Sequence, residues 1–123
     1  MKLTENFSLS EFESKDGSKT PKEVKNNLQK LACNLQMLRN KINKPITINS
    51  GYRSPSHNEA VGGSKNSQHL LGKASDIKVQ GMTPKEVYEV IEELIDNGHM
   101  LQGGLSAYST FVHYDIRKQK ARW

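Results

Sequence analysis

Apolar residues that alternate four and three positions apart over residues 24–42 constrain the fold more than any other feature of this sequence. They are Val24, Leu28, Leu31, Leu35, Leu38 and Ile42. This spacing places their side chains on one face of an α-helix, so it predicts a long amphipathic helix whose apolar face must be covered by other elements. Cys33 lies about 180° from that face and is predicted to be exposed.

The segment Thr-Pro-Lys-Glu precedes this helix at residues 20–23 and occurs again at residues 83–86. In each copy the Thr hydroxyl can accept a hydrogen bond from the third helical N–H group, Pro suits the first helical position, and Glu can reach back to the cap N–H group. Both copies therefore predict a helix with the Thr as its N-cap. Apolar residues between Val87 and Ile95 mark the second helix, which should end near Asn97-Gly98.

Four segments have the alternating pattern of strands: PITINSGY, ASDIKVQ, LQGGLSAY and FVHYDIR. Two shorter helices are predicted in SLSEFES and SPSHNEAVGG. The order of these elements predicts an α+β fold with a small, mostly antiparallel sheet packed against helices. No linker or low-complexity segment divides the chain, so we expect a single domain, 1–123, with a basic C-terminal tail at about 118–123.

Composition limits the classes of site and partner. One cysteine excludes an internal disulfide and a Cys-cluster zinc site, so a transition-metal site must use His, Asp and Glu. No apolar run approaches the ~18 residues that span a bilayer, and residues 1–12 contain no segment of signal-peptide type. We therefore expect synthesis in the cytoplasm and no membrane span. The net charge of +5 indicates an anionic partner or, equally, simple solubility.

Candidate ligands for a metal lie in two segments. In FVHYDIR, the side chains of His113, Asp115 and Arg117 share one face of the predicted strand, although a solvent-facing edge would show the same pattern. In SQHLLGKASDI, His69 and Asp76 are each, taken singly, typical of an ordinary loop or strand start. Together, His69, Asp76 and His113 supply two imidazoles and a carboxylate, the three protein ligands that a catalytic zinc uses.

Three segments, SGYRSPSHNEAVGG, SQHLLGKASDI and FVHYDIR, together resemble the zinc D-Ala-D-Ala carboxypeptidase family. That family includes vancomycin-resistance D,D-dipeptidases and bacteriophage endolysins, and is structurally akin to the hedgehog signalling domain. The likeness runs from about Pro45 to Arg117. The family pattern Ser-x-His-x-x-Gly-x-Ala-x-Asp is met by Ser67, His69, Gly72, Ala74 and Asp76.

The resemblance implies a hedgehog-like α+β fold in which His69, Asp76 and His113 bind Zn²⁺. It also implies that Arg53, in SGYRS, faces the site. A guanidinium there can hold a substrate carboxylate bidentately or stabilise a developing oxyanion. The alternative for Arg53 is an ordinary surface arginine after a turn.

One position departs from the family pattern. Many members carry an acid three residues before the last zinc histidine as the catalytic base, but here that position is Thr110, and Ala107 stands six before. The nearest acid is Asp115, on the same strand face as His113. We predict that Asp115 is either catalytic, by activating the zinc-bound water, or supporting, by orienting His113 or Arg117. The spare candidates for the base are His57 and Glu59.

The resemblance and the ligand set predict a zinc metallopeptidase that hydrolyses an amide bond in peptidoglycan stem peptides, as a D-Ala-D-Ala carboxypeptidase or an endopeptidase of endolysin type. One alternative is a catalytically inactive zinc-containing cell-wall-binding module, which Thr110 favours. A metal-dependent nuclease is a further alternative, but no phosphate-binding loop supports it. We expect a monomer without a nucleic-acid partner. We also expect it to act on the cell wall, released as a phage or prophage endolysin or exported by another route.

Overall fold

The long helix predicted from the apolar stripe is α1, Lys22–Ile42, in a computed structural model that describes residues 1–123. Four leucines of the stripe have no exposed surface: Leu28, Leu31, Leu35 and Leu38. Burying each leucine contributes about 1.5–3 kcal/mol relative to leaving it exposed. Asn43 caps the C-terminus of the helix, with a left-handed backbone (φ 51°) and an N–H group that donates to the carbonyl of Arg39. Cys33 is exposed, as predicted.

The remaining elements follow the predicted order of helices and strands, except that the last strand was not predicted. They are β1 (Ile46–Ser50), α2 (Pro55–Ala60), β2 (Ala74–Val79), α3 (Pro84–Asp96), β3 (Gly104–Ala107), β4 (Val112–Asp115) and β5 (Ala121–Arg122). Two 3-10 helices, Leu9–Glu11 and Gln68–Leu71, complete the structure. None of the helices combines the length and apolar character that crossing a bilayer requires.

The five strands form one sheet in the order β1-β2-β4-β3-β5. All neighbouring strands are antiparallel except β3 and β5, which are parallel. The predicted α+β fold with a mostly antiparallel sheet is therefore confirmed. The pairing of β2 with β4 sets Asp76 directly opposite His113 and Ala74 opposite Asp115. This register brings the two segments of the candidate site together.

Alternation along β4 separates the core from the site. Val112 and Tyr114 belong to the hydrophobic core, in which residues of the sheet pack with residues of α1 and α3. His113 and Asp115 point to the other side of the strand, because successive side chains alternate between faces. Both are nevertheless buried. They are therefore enclosed by the segments on that side of the sheet rather than lying on a solvent-facing edge.

The two Thr-Pro-Lys-Glu segments begin their helices differently. At α3, the Thr83 hydroxyl accepts from the Glu86 N–H group at 3.2 Å and the Glu86 carboxylate accepts from the Thr83 N–H group at 2.8 Å, as predicted. At α1 the N-cap is Pro21, and no side chain caps the helix. Thr20 is buried, and its hydroxyl has no hydrogen-bond partner. The prediction of Thr20 as an N-cap was therefore wrong.

The basic segment predicted as a tail at about 118–123 takes part in the fold. β5 extends the sheet beside β3, and the Arg122 guanidinium donates to both Glu92 carboxylate oxygens at 2.9 and 2.8 Å. Arg122 also donates to the carbonyl of Gly103. These contacts fix the segment that follows β4 against α3 and the sheet edge.

Candidate metal site

The 3-10 helix Gln68–Leu71 sets the position of His69. Ser67 is its N-cap, with the hydroxyl accepting from the His69 N–H group at 3.1 Å. Nδ1 of His69 lies 2.7 Å from the carbonyl oxygen of Gly51. Because a carbonyl oxygen only accepts, Nδ1 donates to it, and Nε2 is the nitrogen that faces the site.

Gly72 ends this short helix and turns the chain into β2. Its backbone is left-handed (φ 72°), and a Cβ atom at this position would lie 2.6 Å from a Val24 methyl carbon. Both the conformation and the close approach of α1 therefore favour glycine. The turn joins His69 to the strand that carries Asp76.

The three predicted ligands meet between β2, β4 and the 3-10 helix. Nδ1 of His113 lies 3.1 Å from one carboxylate oxygen of Asp76, and Nε2 of His69 lies 3.3 Å from the other. One ligand atom from each residue lies within 4.8 Å of the other two, and all three residues are buried. A tetrahedral zinc with bonds of about 2.0–2.2 Å needs ligand atoms about 3.3–3.6 Å apart. The donor set therefore suits a zinc ion, and the two distances to the Asp76 carboxylate are close to this range.

The charges of Asp76 and His113 are coupled. Burial by itself raises the pKa of Asp76, but hydrogen bonds from His113 and His69 outweigh it and hold that pKa well below its usual range. Burial lowers the pKa of His113, but hydrogen bonds to Asp115 and Asp76 outweigh it and raise that pKa. Asp76 is therefore an ionised carboxylate at neutral pH, the form in which a carboxylate binds a metal.

Arg53 lies beside the three residues. One Nη atom is 3.4 Å from the Asp76 carboxylate, the other is 3.3 Å from the side-chain oxygen of Asn58, and Nε is 3.1 Å from the Ser50 hydroxyl. The Arg53 N–H group donates to the carbonyl of His69 at 3.0 Å. Arg53 therefore lies in the wall of the site, within hydrogen-bond distance of Asp76.

Asp115 lies behind His113 and has no exposed surface. One carboxylate oxygen accepts from His113 Nε2 at 2.6 Å and from an Arg117 Nη atom at 2.7 Å. The other accepts from the N–H groups of Gly104 at 2.8 Å and Arg117 at 3.1 Å, and from Arg117 Nε at 2.9 Å. Burial raises the pKa of Asp115, but these hydrogen bonds outweigh it and hold that pKa well below its usual range.

Gly104 permits this enclosure, because a Cβ atom there would overlap the carboxylate of Asp115. Asp115 is therefore a buried partner of His113 and Arg117. It does not line the open part of the site.

A hollow of about 540 Å³ opens over the three predicted ligands. Its walls comprise Arg53, Ser64, Asn66, Ser67, Gln68, His69, Asp76, Tyr108, Phe111, His113, Arg117 and Trp123. Asp76 is the only Asp or Glu side chain in this lining. The sequence reasoning missed the aromatic part of the wall, where Tyr108 and Phe111 stack with ring centroids 4.5 Å apart. The available signal was the run of aromatic residues around FVHYDIR.

The other residues considered as a base lie outside this hollow. His57, on α2, is partly buried, and Glu59 lines a separate hollow of about 730 Å³. Thr110 is exposed and lines a third hollow beside α3. The structure therefore brings together four of the five predicted site residues around the hollow, namely Arg53, His69, Asp76 and His113, with Asp115 behind them.

Comparison with known proteins supplies two findings. A family model described as peptidase M15 matches residues 4–115, which include all five predicted site residues. The zinc D-Ala-D-Ala carboxypeptidase of Streptomyces albus G is 48% identical over 44 residues, which cover 35% of this chain. The aligned region spans 17% of the length of that relative.

Proposed function

The chain belongs to the peptidase M15 family, and from this premise we propose that it is a zinc-dependent peptidase that hydrolyses an amide bond in bacterial peptidoglycan stem peptides. The observation that carries the proposal is the meeting of His69, Asp76 and His113 at the base of an open hollow. The Streptomyces albus G relative is named for zinc and for D-Ala-D-Ala carboxypeptidase activity, which supports the substrate class. A net charge of +5 suits an anionic cell wall.

Three side chains would hold the zinc ion: His69 through Nε2, Asp76 through its carboxylate and His113 through Nδ1. When bound, zinc supplies a water of lowered pKa and polarises the scissile carbonyl. The second nitrogen of each histidine is engaged, in His69 by the Gly51 carbonyl and in His113 by Asp115. Such partners fix the ring orientation and the position of the proton. Three protein ligands are typical of a catalytic zinc site, whereas structural sites use four.

We propose that Arg53 binds a carboxylate of the substrate. Its guanidinium is held by Ser50, Asn58 and Asp76, so little freedom is lost when a substrate arrives. A planar guanidinium can make two parallel hydrogen bonds to a carboxylate. Stem peptides carry such carboxylates, and this contact would set the scissile amide over the three ligands.

For Asp115, the geometry favours the supporting alternative. Its contact with Nε2 holds the ring proton of His113 on that atom, which leaves Nδ1 as the metal-binding nitrogen. Its carboxylate is fully hydrogen-bonded and has no exposed surface, so the water that attacks the amide has no direct approach to it. The alternative, that Asp115 is the catalytic base, requires such an approach and stays a prediction.

A second candidate function is a catalytically inactive zinc-containing cell-wall-binding module. The observation that favours it is that no Asp or Glu side chain except the proposed ligand Asp76 lines the hollow, so no free acidic side chain is placed to accept a proton. In either case we place the site of action at the cell wall. A phage or prophage endolysin would reach it on release, and a host protein would reach it by export.

Digestion of purified muropeptides, read by mass spectrometry, tests the proposal. We expect hydrolysis that stops on chelation, returns with Zn²⁺ and is absent in His69→Ala, and the product masses identify the bond cut. Sedimentation with purified cell walls is measured in parallel. Zinc-dependent wall binding without any product would support the binding module and refute the peptidase.

A further inference from the structure

We propose that Trp123 is a substrate-positioning residue. Its indole packs against the part of a peptide substrate next to the scissile amide and directs the rest of the peptide into a neighbouring hollow beside Lys85 and Tyr88. This inference rests on the proposed peptidase function. It gives a role to the segment around β5, which the sequence reasoning had treated as a basic tail.

The indole of Trp123 lies at the edge of the candidate metal site. Its ring centroid is 5.0 Å from that of His113, with the two planes tilted by 58°. The guanidinium carbon of Arg117 lies 5.3 Å from the indole centroid. A substrate held over His113 would therefore contact the indole.

The indole is exposed but fixed. Of its residue surface, 56% is accessible. Its Nε1–H group donates to the Tyr108 hydroxyl at 2.7 Å, and the Trp123 carbonyl accepts from the Ser106 hydroxyl at 2.7 Å. The adjacent Arg122 is held by Glu92. An apolar surface that is fixed before binding loses little entropy on binding, and tryptophan is enriched among residues that dominate binding energy.

Trp123 also borders a neighbouring hollow of about 440 Å³. The other residues that line this hollow are Lys85, Tyr88, Glu89 and Ala107. Neither Lys85 nor Glu89 makes an ion pair within the protein. The hollow thus offers one cation, one anion and an aromatic surface, a combination that suits a peptide with both charged and apolar groups.

Trp123 is the residue that the linings of the two hollows share, so a ligand that extends along this boundary from one hollow into the other would contact the indole. A short substrate would occupy only the hollow over the three ligands. A longer stem peptide would also contact the indole and the second hollow. The proposal therefore predicts that the contribution of Trp123 depends on substrate length, whereas a tryptophan that only closes the sheet edge would affect all substrates equally.

Steady-state kinetics of Trp123→Ala and Trp123→Phe test this prediction. The two substrates are a synthetic stem pentapeptide and the shortest fragment of it that the wild type cleaves. We expect Trp123→Ala to raise KM for the pentapeptide by about tenfold, with kcat changed less than about threefold and little effect on the fragment. Trp123→Phe should restore most of the loss. The matched control is Met37→Ala, which removes an exposed apolar side chain on α1 outside both hollows.

A binding measurement separates this proposal from the proposed function. Trp123 is the only tryptophan in the chain, so intrinsic fluorescence reports on this one indole. Titration of the zinc-loaded wild type with the tetrapeptide product should change the emission to saturation, and zinc content and melting temperature are measured for every variant. Equal KM values for wild type and Trp123→Ala, equal losses for both substrates, or unchanged emission would overturn the proposal. Absence of hydrolysis by the wild type would refute the proposed peptidase function. Titration with the pentapeptide would then test Trp123 by itself: emission that changes to saturation would support a binding role, and unchanged emission would overturn it.

Discussion

The two sides of the His113 ring face opposite surroundings. On the Nδ1 side, the Asp76 carboxylate lies 3.1 Å away, lines the open hollow and contacts His69 and Arg53. On the Nε2 side, the Asp115 carboxylate lies 2.6 Å away, has no exposed surface and is saturated by hydrogen bonds. Two chemically identical side chains thus differ in access. We infer that the metal and the substrate bind on the open side, and that Asp115 on the closed side fixes the orientation of the His113 ring.

Protonation alone does not distinguish the two carboxylates. The pKa of each is held well below its usual range, because hydrogen bonds outweigh the effect of burial. A carboxyl whose pKa is depressed by folding stabilises the protein above its unfolded pKa of about 4, and this contribution is lost as the pH falls through the folded pKa. Acid should therefore weaken both sides of the ring together, so substitutions are needed to separate them.

The largest expected effect is that of Asp76→Ala, on the open side. Removing one of three proposed ligands should abolish most zinc binding, whereas the wild type purified without chelator should hold about one equivalent. Hydrolysis should then fall below detection. Elemental analysis and a zinc titration measure the change, and retention of full metal by the variant would show that Asp76 is not a ligand.

Asp115→Asn, on the closed side, should have the next largest effect. Loss of a partner that orients a metal-binding histidine typically lowers metal affinity or activity by about 10–100-fold. We expect weaker zinc binding, with turnover largely recovered at saturating Zn²⁺. A loss of about 10²–10⁴ in turnover with full zinc would instead establish Asp115 as the base.

The control for this substitution is Asp16→Asn. Asp16 also carries a carboxylate with a depressed pKa, which accepts from the Ser54 hydroxyl at 2.7 Å, but it lies outside the site hollow. Zinc affinity should be unchanged in this variant. Melting curves of both variants show whether any loss in Asp115→Asn arises from unfolding, since that substitution leaves Arg117 without a charged partner.

Arg53→Lys tests the substrate on the open side. A lysine keeps the charge but cannot make the planar two-pronged contact, so kcat/KM should fall by about 10-fold or more for a substrate with a free carboxylate. Conversion of that substrate carboxylate to an amide should lower kcat/KM of the wild type by a similar factor. The two losses should not add, and strictly additive losses would show that Arg53 acts elsewhere.

The smallest effect is expected for Arg117→Lys, because its guanidinium is engaged by Asp115 on the closed side, although its side chain also lines the hollow. Arg117 makes a bidentate contact with Asp115 and is partly exposed, so the free energy of unfolding should fall by only about 1 kcal/mol. Any change in kcat/KM should be the same for the substrate with a free carboxylate and for the amide-blocked substrate. If Arg117→Lys instead mimicked Arg53→Lys, the distinction between the two sides of the ring would be wrong.

Periodicity predicted the elements whose buried face is determined by nearby residues, such as α1, α3 and β4. The two Thr-Pro-Lys-Glu segments show the limit of such reasoning. The same four residues form a capping box at Thr83, whereas Thr20 is buried with its hydroxyl unpaired and α1 begins after Pro21. Local sequence is identical at the two positions, so tertiary packing must decide between these outcomes.

The candidate site likewise has features that the sequence predicts and others that depend on tertiary packing. Residue type and the family pattern predicted that His69, Asp76 and His113 would meet, and the resemblance placed Arg53 beside them. The enclosure of Asp115 could not be predicted, because it depends on Gly104 of the adjacent strand coming within hydrogen-bond distance. The position of Trp123 likewise depends on the parallel pairing of β5 with β3, which no local pattern encodes.

The direct pairing of Asp76 with His113 across β2 and β4 has a consequence for the movements available to the sheet. A metal bound by opposite residues of two adjacent strands would oppose their separation, and a shift of one strand by one residue in register would turn its ligand to the face opposite the other ligand. A bound metal would therefore stabilise the middle of the sheet against local opening. Amide hydrogen exchange in β2 and β4 should therefore slow when zinc is present, more than exchange in the exposed loop near Lys65.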